Sequence, residues 1–308
     1  MTRLDADGPA APHTVAGAMR LARHLGLGRL DAHLLLGHLL QQPRTWLLAH
    51  DDAPLPLPQA RAFVDACRRR ADGEPLAYLL GEREFYGLRL AVTPDVLVPR
   101  ADTETLVDWA LALLPTLPTA HPRVLDLGTG SGAIALAVAH GHPAAQVTAT
   151  DASPPALAVA RANAQRLGLA VQWACGDWWQ ALAPAQRFDL VLSNPPYIAA
   201  ADPHLPALRH EPLAALTPEA DGPAGQGLSA LHRIINGAPA HLVPGGWLLL
   251  EHGWTQADAV GAALHQAGFA QISTRADIEG RPRCTGGQHG QHGQNGEHGQ
   301  HGQPVLRR

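Results

Sequence analysis

The run Arg123-Val124-Leu125-Asp126-Leu127, continued by Gly128-Thr129-Gly130-Ser131-Gly132 and an apolar stretch over residues 133–140, constrains this 308-residue chain more than any other segment. It reads as a strand, a glycine-rich turn and a helix. Glycines let a backbone come close to a ligand, and the start of the following helix offers free N–H groups. Taken alone the signal is weak. Gly128, Gly130 and Ala133 satisfy the dinucleotide pattern G-x-G-x-x-G/A. Asp151 also lies near the ribose-binding distance of about 20 residues, so a nicotinamide enzyme competes at this point.

Later strand ends help to decide. Residues 146–150 read as a second strand ending at Asp151, residues 170–174 as a third ending near Asp177-Trp178, and Phe188–Ser193 as a fourth ending at Asn194. With Asp126, four polar residues are expected at the carboxyl ends of four successive strands. The segments between them are long enough for crossovers, the third being tight. In an open parallel sheet, ligands bind along that edge. Asp151 can accept both hydroxyls of a ribose, and Asp177 and Trp178 can flank an adenine. Asn194-Pro195-Pro196-Tyr197 has no part in hydride transfer. It suits the activation of a planar, conjugated NH2 group, whose two N–H bonds must be held by acceptors. The Asn194 oxygen can take one and the Pro195 carbonyl the other. Pro195 and Pro196 stiffen the loop, and Tyr197 offers an aromatic face to the planar group. The combination reads as an S-adenosylmethionine methyltransferase acting on nitrogen.

Composition agrees. With 46% hydrophobic and 16% charged residues, the chain can bury one sizeable domain and a small one. A net charge of −4 argues against a broad phosphate-binding surface. Lysine is absent, so all 23 basic residues are arginine. Cys67, Cys175 and Cys284 lack metal-ligand spacing, and their odd number fits a reducing cytosol. Residues 1–7 carry no signal-peptide core and no run is long enough to span a bilayer, so a cytoplasmic location is expected.

Residues 14–72 show helical patterning. Thr14 is placed to cap a first helix with Val15, Met19 and Leu21 or Ala22. Asp31 precedes a second with Leu34, Leu35, Leu36, Leu39 and Leu40, read as core; residues 43–49 suggest a third and 58–71 a fourth. Arg68-Arg69-Arg70 reads as a solvated helix end. Short extended runs over residues 84–92 and 96–100, punctuated by Gly87 and Thr93-Pro94-Asp95, suggest a β-hairpin between two domains.

The stretch from Gly73-Glu74-Pro75-Leu76-Ala77-Tyr78 to Glu84-Phe85-Tyr86-Gly87, then Val98-Pro99-Arg100-Ala101-Asp102-Thr103-Glu104, the glycine turn and Asn194-Pro195-Pro196-Tyr197, resembles the PrmC/HemK family of release-factor glutamine methyltransferases. Glu211-Pro212-Leu213-Ala214-Ala215-Leu216, Leu250-Glu251-His252-Gly253 and Asp277, Gly280 and Arg283 extend the similarity across roughly residues 14–287. The resemblance implies a class I S-adenosylmethionine-dependent methyltransferase. Its domain would be Rossmann-like, with a seven-stranded, mostly parallel sheet. The implied division is a helical substrate-binding domain (1–73), a linker with a β-hairpin (74–100), the methyltransferase domain (101–287) and a disordered Gly/Gln/His-rich tail (288–308). The implied reaction methylates the side-chain amide nitrogen of the glutamine in the Gly-Gly-Gln motif of peptide chain release factors. Gly128, Thr129, Gly130, Ser131 and Gly132 would wrap the methionine part of the cofactor, Asp151 the ribose and Trp178 the adenine. Asn194 would touch cofactor and substrate, with Pro195, Pro196 and Tyr197 framing the glutamine amide. A monomer without metal, membrane or direct nucleic-acid contact is expected. The enzyme alternative is an adenine-N6 methyltransferase on DNA or RNA, which uses a similar strand-end motif. Two positions depart from the family pattern: Ala101 replaces a second proline, and His210 an aromatic residue before Glu-Pro.

From Gln288 onward the glycine and polar repeats favour disorder. His289, His292, His298 and His301 could hold a soft metal weakly, although a solvated extension is the blander reading. Gly286-Gly287-Gln288 repeats the substrate tripeptide, either by chance or as a pseudosubstrate that folds into the active site.

Overall fold

The structure is a computed structural model and describes residues 11–218 and 225–290. Its first part is a helical cluster: α1 (Val15–His24), α2 (Arg29–Leu40), α3 (Arg44–Ala49), α4 (Leu57–Ala71) and α5 (Leu76–Leu80). Thr14 caps α1 as expected, its Oγ1 accepting from the Gly17 N–H at 3.1 Å. Val15, Ala22, Leu35, Leu36, Phe63 and Cys67 form the core of the cluster, and burial pushes the Cys67 thiol up to about 12. Two expectations need correction. Asp31 lies inside the first turn of α2 rather than before it. Leu34 is 39% exposed, and of the five leucines in that run only Leu35 and Leu36 are buried. Consecutive residues on a helix are about 100° apart, so a leucine cluster cannot all face one core.

The hairpin follows as β1 (Glu82–Phe85) and β2 (Leu88–Ala91), paired antiparallel. Tyr86 and Gly87 form its two-residue turn with φ of 51° and 75°, the left-handed pair that matches strand twist. Residues 96–100, which read as extended, join no strand. A tight turn at Ala101–Thr103 then leads into α6 (Glu104–Leu113).

The remaining elements are β3 (Arg123–Leu127), α7 (Ala133–Gly141), β4 (Gln146–Asp151), α8 (Pro154–Leu167), β5 (Gln172–Cys175), β6 (Phe188–Ser193), α9 (Leu213–Leu216), α10 (Ser229–Gly237), β7 (Leu242–Glu251), α11 (Ala257–Gln266), β8 (Phe269–Ala276) and β9 (Pro282–His289). They build a seven-stranded sheet in the order β5-β4-β3-β6-β7-β9-β8. The strands β3 to β7 run parallel, and β9 is antiparallel to both its neighbours. Side chains alternate between two cores. Val124, Leu190, Leu192 and Leu249 face α6 and α7 on one side, and Leu125, Leu127, Val191 and Leu248 face α10 and α11 on the other. The chain leaves β3 toward β4 on one side and returns to β6 on the other. That reversal opens a crevice at the carboxyl ends of β3 and β6.

The disordered-tail expectation fails at its first residues. Gln288 and His289 belong to β9, where Gln288 stands opposite Trp247 and Ala270. Gly286 and Gly287 lie between two strands. A Cβ on Gly286 would fall 2.4 Å from Leu249 Cδ2, so glycine is required there by packing. A tripeptide locked into the sheet is no pseudosubstrate. Residues 291–308, with His292, His298 and His301, lie outside the described residues.

Candidate active site

A cavity of about 720 Å³ opens at the carboxyl ends of β3, β4 and β6. Gly128, Thr129, Gly130, Ser131, Asp151, Trp178, Asn194 and Pro196 lie on its wall, so the cavity gathers eight of the residues expected at the site. Gly132, Pro195 and Tyr197 are not on that wall. Gly132 caps α7 at φ 86°, where a Cβ would crowd Ala160 at 3.2 Å, so it serves the packing of α7 against α8.

One side of the cavity is built from backbone. The N–H groups of Gly128 and Thr129 both donate to the Thr150 carbonyl, each at 2.9 Å, which ties the turn to β4. Gly128 and Gly130 take φ of 74° and 55°, where side chains are strained. The Asp151 carboxylate accepts from the Gly130 N–H at 2.8 Å and the Ser153 N–H at 2.9 Å. Burial raises its proton affinity. The Trp178 ring sits against Gly128, 3.3 Å from where a Cβ would stand, and Asp177 pairs with Arg233 at 2.6 Å.

Asp126 does not stand with these residues. It lies inside β3, fully buried, and accepts from Thr129 Oγ1 at 2.6 Å and the Ala135 N–H at 3.2 Å. Its Oδ1 has no partner, and burial pushes the carboxyl up to about 7. The strand runs one residue past Asp126 and turns its side chain inward, so it braces the glycine turn from behind.

The opposite side of the cavity is built from side chains of distant segments. Asn194 follows β6, whose Ser193 hydroxyl donates to the Leu127 carbonyl at 2.7 Å. The Asn194 Nδ2 donates to Thr103 Oγ1 at 3.2 Å, which leaves the amide oxygen available as an acceptor on a residue that lines the cavity. Tyr197 donates its hydroxyl to Glu251 Oε1 at 3.0 Å. Glu251 is buried at the end of β7, and that burial pushes its carboxyl up to about 7.

The linker is fastened to the cavity rim by the same kind of contact. Buried Glu211 accepts from the Val98 N–H at 3.0 Å and pairs with Arg100, which lines the cavity. Tyr78 of α5 donates to the Val96 carbonyl at 2.6 Å. Arg283 of β9 reaches Asp277 at 3.0 Å and Asp102 at 3.3 Å. His210 faces Asp72 at the end of α4 at 3.4 Å, beside an Arg209–Asp72 pair at 2.9 Å, so this departure from the family pattern lies at the contact with the helical cluster. Arg100, Thr103 and Arg233 line the cavity yet were not expected there from the sequence. Arg100 and Thr103 stand inside a quoted motif, which was their only signal. Among the described residues no group of three His, Cys, Asp or Glu side chains could hold a metal.

A mostly parallel seven-stranded sheet with a glycine cradle and an acidic strand end beside Asn-Pro-Pro-Tyr defines a class I methyltransferase. A methyltransferase from Pyrococcus furiosus shares the fold at 18% identity and a TM-score of 0.50, over 66% of this chain and 90% of that one. Residues 104–210 match the methyltransferase small domain and residues 16–81 the PrmC N-terminal domain. A release factor glutamine methyltransferase of Bordetella pertussis is 54% identical over 85% of this chain and 95% of its own length. One from Salmonella typhimurium is 43% identical over 90% and 98%. The chain belongs to the release factor glutamine methyltransferase family.

Proposed function

We propose that the protein transfers a methyl group from S-adenosylmethionine to the side-chain amide nitrogen of the Gly-Gly-Gln glutamine in peptide chain release factors. One observation carries this reading. Asn194 lines the same cavity as the glycine cradle and Asp151, and its amide nitrogen is already engaged by Thr103, which supports its oxygen as the acceptor for substrate.

The residues present fit the cofactor. Nothing lies within 4 Å of where a Cβ of Gly130 would stand, so the turn offers open space along its backbone. Asp151 keeps acceptor capacity beyond its two backbone bonds and can take ribose hydroxyls. Trp178 borders the same space, as an adenine would require. When bound, S-adenosylmethionine supplies a methyl group on a positively charged sulfur. The chain's own task is orientation: a nitrogen held at about 3–3.5 Å from its target gains the advantage of a pre-organised encounter. Asn194 Oδ1 and the Pro195 carbonyl, accepting both N–H groups of the substrate amide, stabilise positive charge as it grows on that nitrogen. A strong general base is unnecessary, because a methylated amide nitrogen sheds its proton readily. Residues 1–73 fit a role in gripping the release factor, and the Arg209, His210 and Asp72 contact joins that region to the rim.

The test is tritiated methyl transfer to a purified release factor beside its Gln-to-Ala variant and duplex DNA. Label on the unaltered factor alone is expected. Label on DNA would move the same geometry to an adenine amino group.

A further inference from the structure

Asn194 is an amide, and an amide can bind in two senses. With its oxygen toward the cavity it accepts a substrate N–H; turned by 180° it would present NH2 to an incoming NH2 and repel it. What decides the sense lies behind it. Thr103 Oγ1, 4% exposed, is the partner of Asn194 Nδ2. A threonine hydroxyl has one proton and two lone pairs, so it accepts from Asn194 while that proton points away, and a second acceptor nearby holds it there. The neighbouring acceptor is Glu251, 1% exposed at the end of β7. The Thr103 hydroxyl lies close enough to lower that carboxyl's proton affinity. Glu251 Oε1 takes the Tyr197 hydroxyl at 3.0 Å, and Oε2 has no fully formed bond, so it is a buried acceptor in need of a donor. Thr103 is the hydroxyl beside it that can supply that donor.

We infer that Thr103 and Glu251 are positioning residues that fix the Asn194 amide with its oxygen toward the substrate. The inference rests on the reading of Asn194 as the acceptor of the glutamine N–H. The polarity inferred runs in one direction: Tyr197 donates to the Glu251 carboxylate and Asn194 to Thr103, and Thr103 would give its own proton to Glu251. A protonated Glu251 would donate to Thr103, release the threonine proton toward Asn194 and favour the turned amide. The groups that face Glu251 bear on that balance. Arg283 of β9 favours the carboxylate, and Asp102 of the linker turn opposes it. Tyr197 and Cys284 are uncharged neighbours whose own ionisation is pushed up by burial and then by Glu251. Asp277 reaches the group only through Arg283, and His252, next in sequence, donates to or accepts from Thr285 at 2.7 Å rather than Glu251. Burial pushes Glu251 up to about 7, which sets the neutral range as the place where the polarity can reverse.

The experiment compares Thr103→Val, Thr103→Ser, Glu251→Gln and Asn194→Ala in the full chain, with kcat, KM for release factor, S-adenosylmethionine affinity and melting temperature read on each. Thr103→Val keeps shape and removes the hydroxyl. It is expected to lower kcat about tenfold, the effect of one lost hydrogen bond, with donor affinity within about twofold, while Thr103→Ser restores the rate. The kcat of the wild type is expected to fall below a pH of about 7, and Glu251→Gln to remove that limb at a lower plateau. A Thr103→Val enzyme as fast as wild type, beside an inactive Asn194→Ala, overturns the inference and leaves the Asn194 reading standing. So does Thr103→Ser no faster than Thr103→Val, which would assign the effect to methyl packing. An active Asn194→Ala overturns both.

Discussion

The two walls of the cavity are made differently. The glycine wall is backbone, contiguous over residues 128–131 and tied to its neighbour strand by main-chain bonds. The Asn194 wall is side chain, made by Arg100, Thr103 and Asn194 and braced from behind by Glu211, by Tyr197 with Glu251 of β7, and by Arg283 of β9. A backbone wall tolerates changes of side chain but not of conformation. A side-chain wall tolerates conformational slack but loses function with a single polar atom.

Asn194→Ala should have the largest effect, lowering kcat by about 100-fold or more with the fold intact; steady-state kinetics beside a circular dichroism spectrum read this, and near-normal turnover would remove the side-chain wall from the chemistry. On the glycine wall, Gly128→Ala forces a side chain into φ 74° and against Trp178. Strain of about 1–2 kcal/mol should appear as roughly tenfold weaker donor binding with little change in release-factor KM, measured by calorimetry. If Gly128→Ala changed only the release-factor KM, the division of labour between the walls would be wrong. Glu211→Ala strips the partner from Arg100 and the Val98 N–H. A loss of about 1–3 kcal/mol is expected in urea unfolding, less than for a fully buried pair because the Arg100 side chain is 41% exposed. Asp126→Asn should change least. Its carboxyl binds a proton more tightly folded, near 7, than at its ordinary 3.8. The stability this contributes is therefore complete at acid pH and is lost as pH rises through about 7. The variant should show a flatter melting temperature between pH 4 and 8 than the wild type. An equal slope would remove Asp126 from the account.

The same difference explains what could be read from the sequence. The strand Phe188–Ser193 was legible to the residue, because an apolar run ends there against Asn-Pro-Pro. The third strand begins two residues later than expected, at Gln172, since Ala170 and Val171 are apolar without being paired. The strand β9 has the composition of a loop, Pro-Arg-Cys-Thr-Gly-Gly-Gln-His, and becomes a strand because β7 and β8 flank it. The glycine wall was legible because its chemistry is local. Asp126 was misplaced because a strand end cannot be fixed to one residue by pattern alone. Glu211, Thr103 and Glu251 were visible only as parts of motifs; their bonds span 54 to 113 positions in sequence, a separation that no local pattern encodes.

The place of β9 between β7 and β8 has a consequence for how the molecule is born. Of the three strands it is the last in the chain, and β8 has no partner in the sheet other than β9. Arg283 arrives with that strand, and only then can Asp102 find its cation. A nascent chain truncated before residue 282 would hold the glycine cradle but lack the anchor of the linker turn. The turn that carries Thr103 thus takes its anchor from the final strand of the sheet.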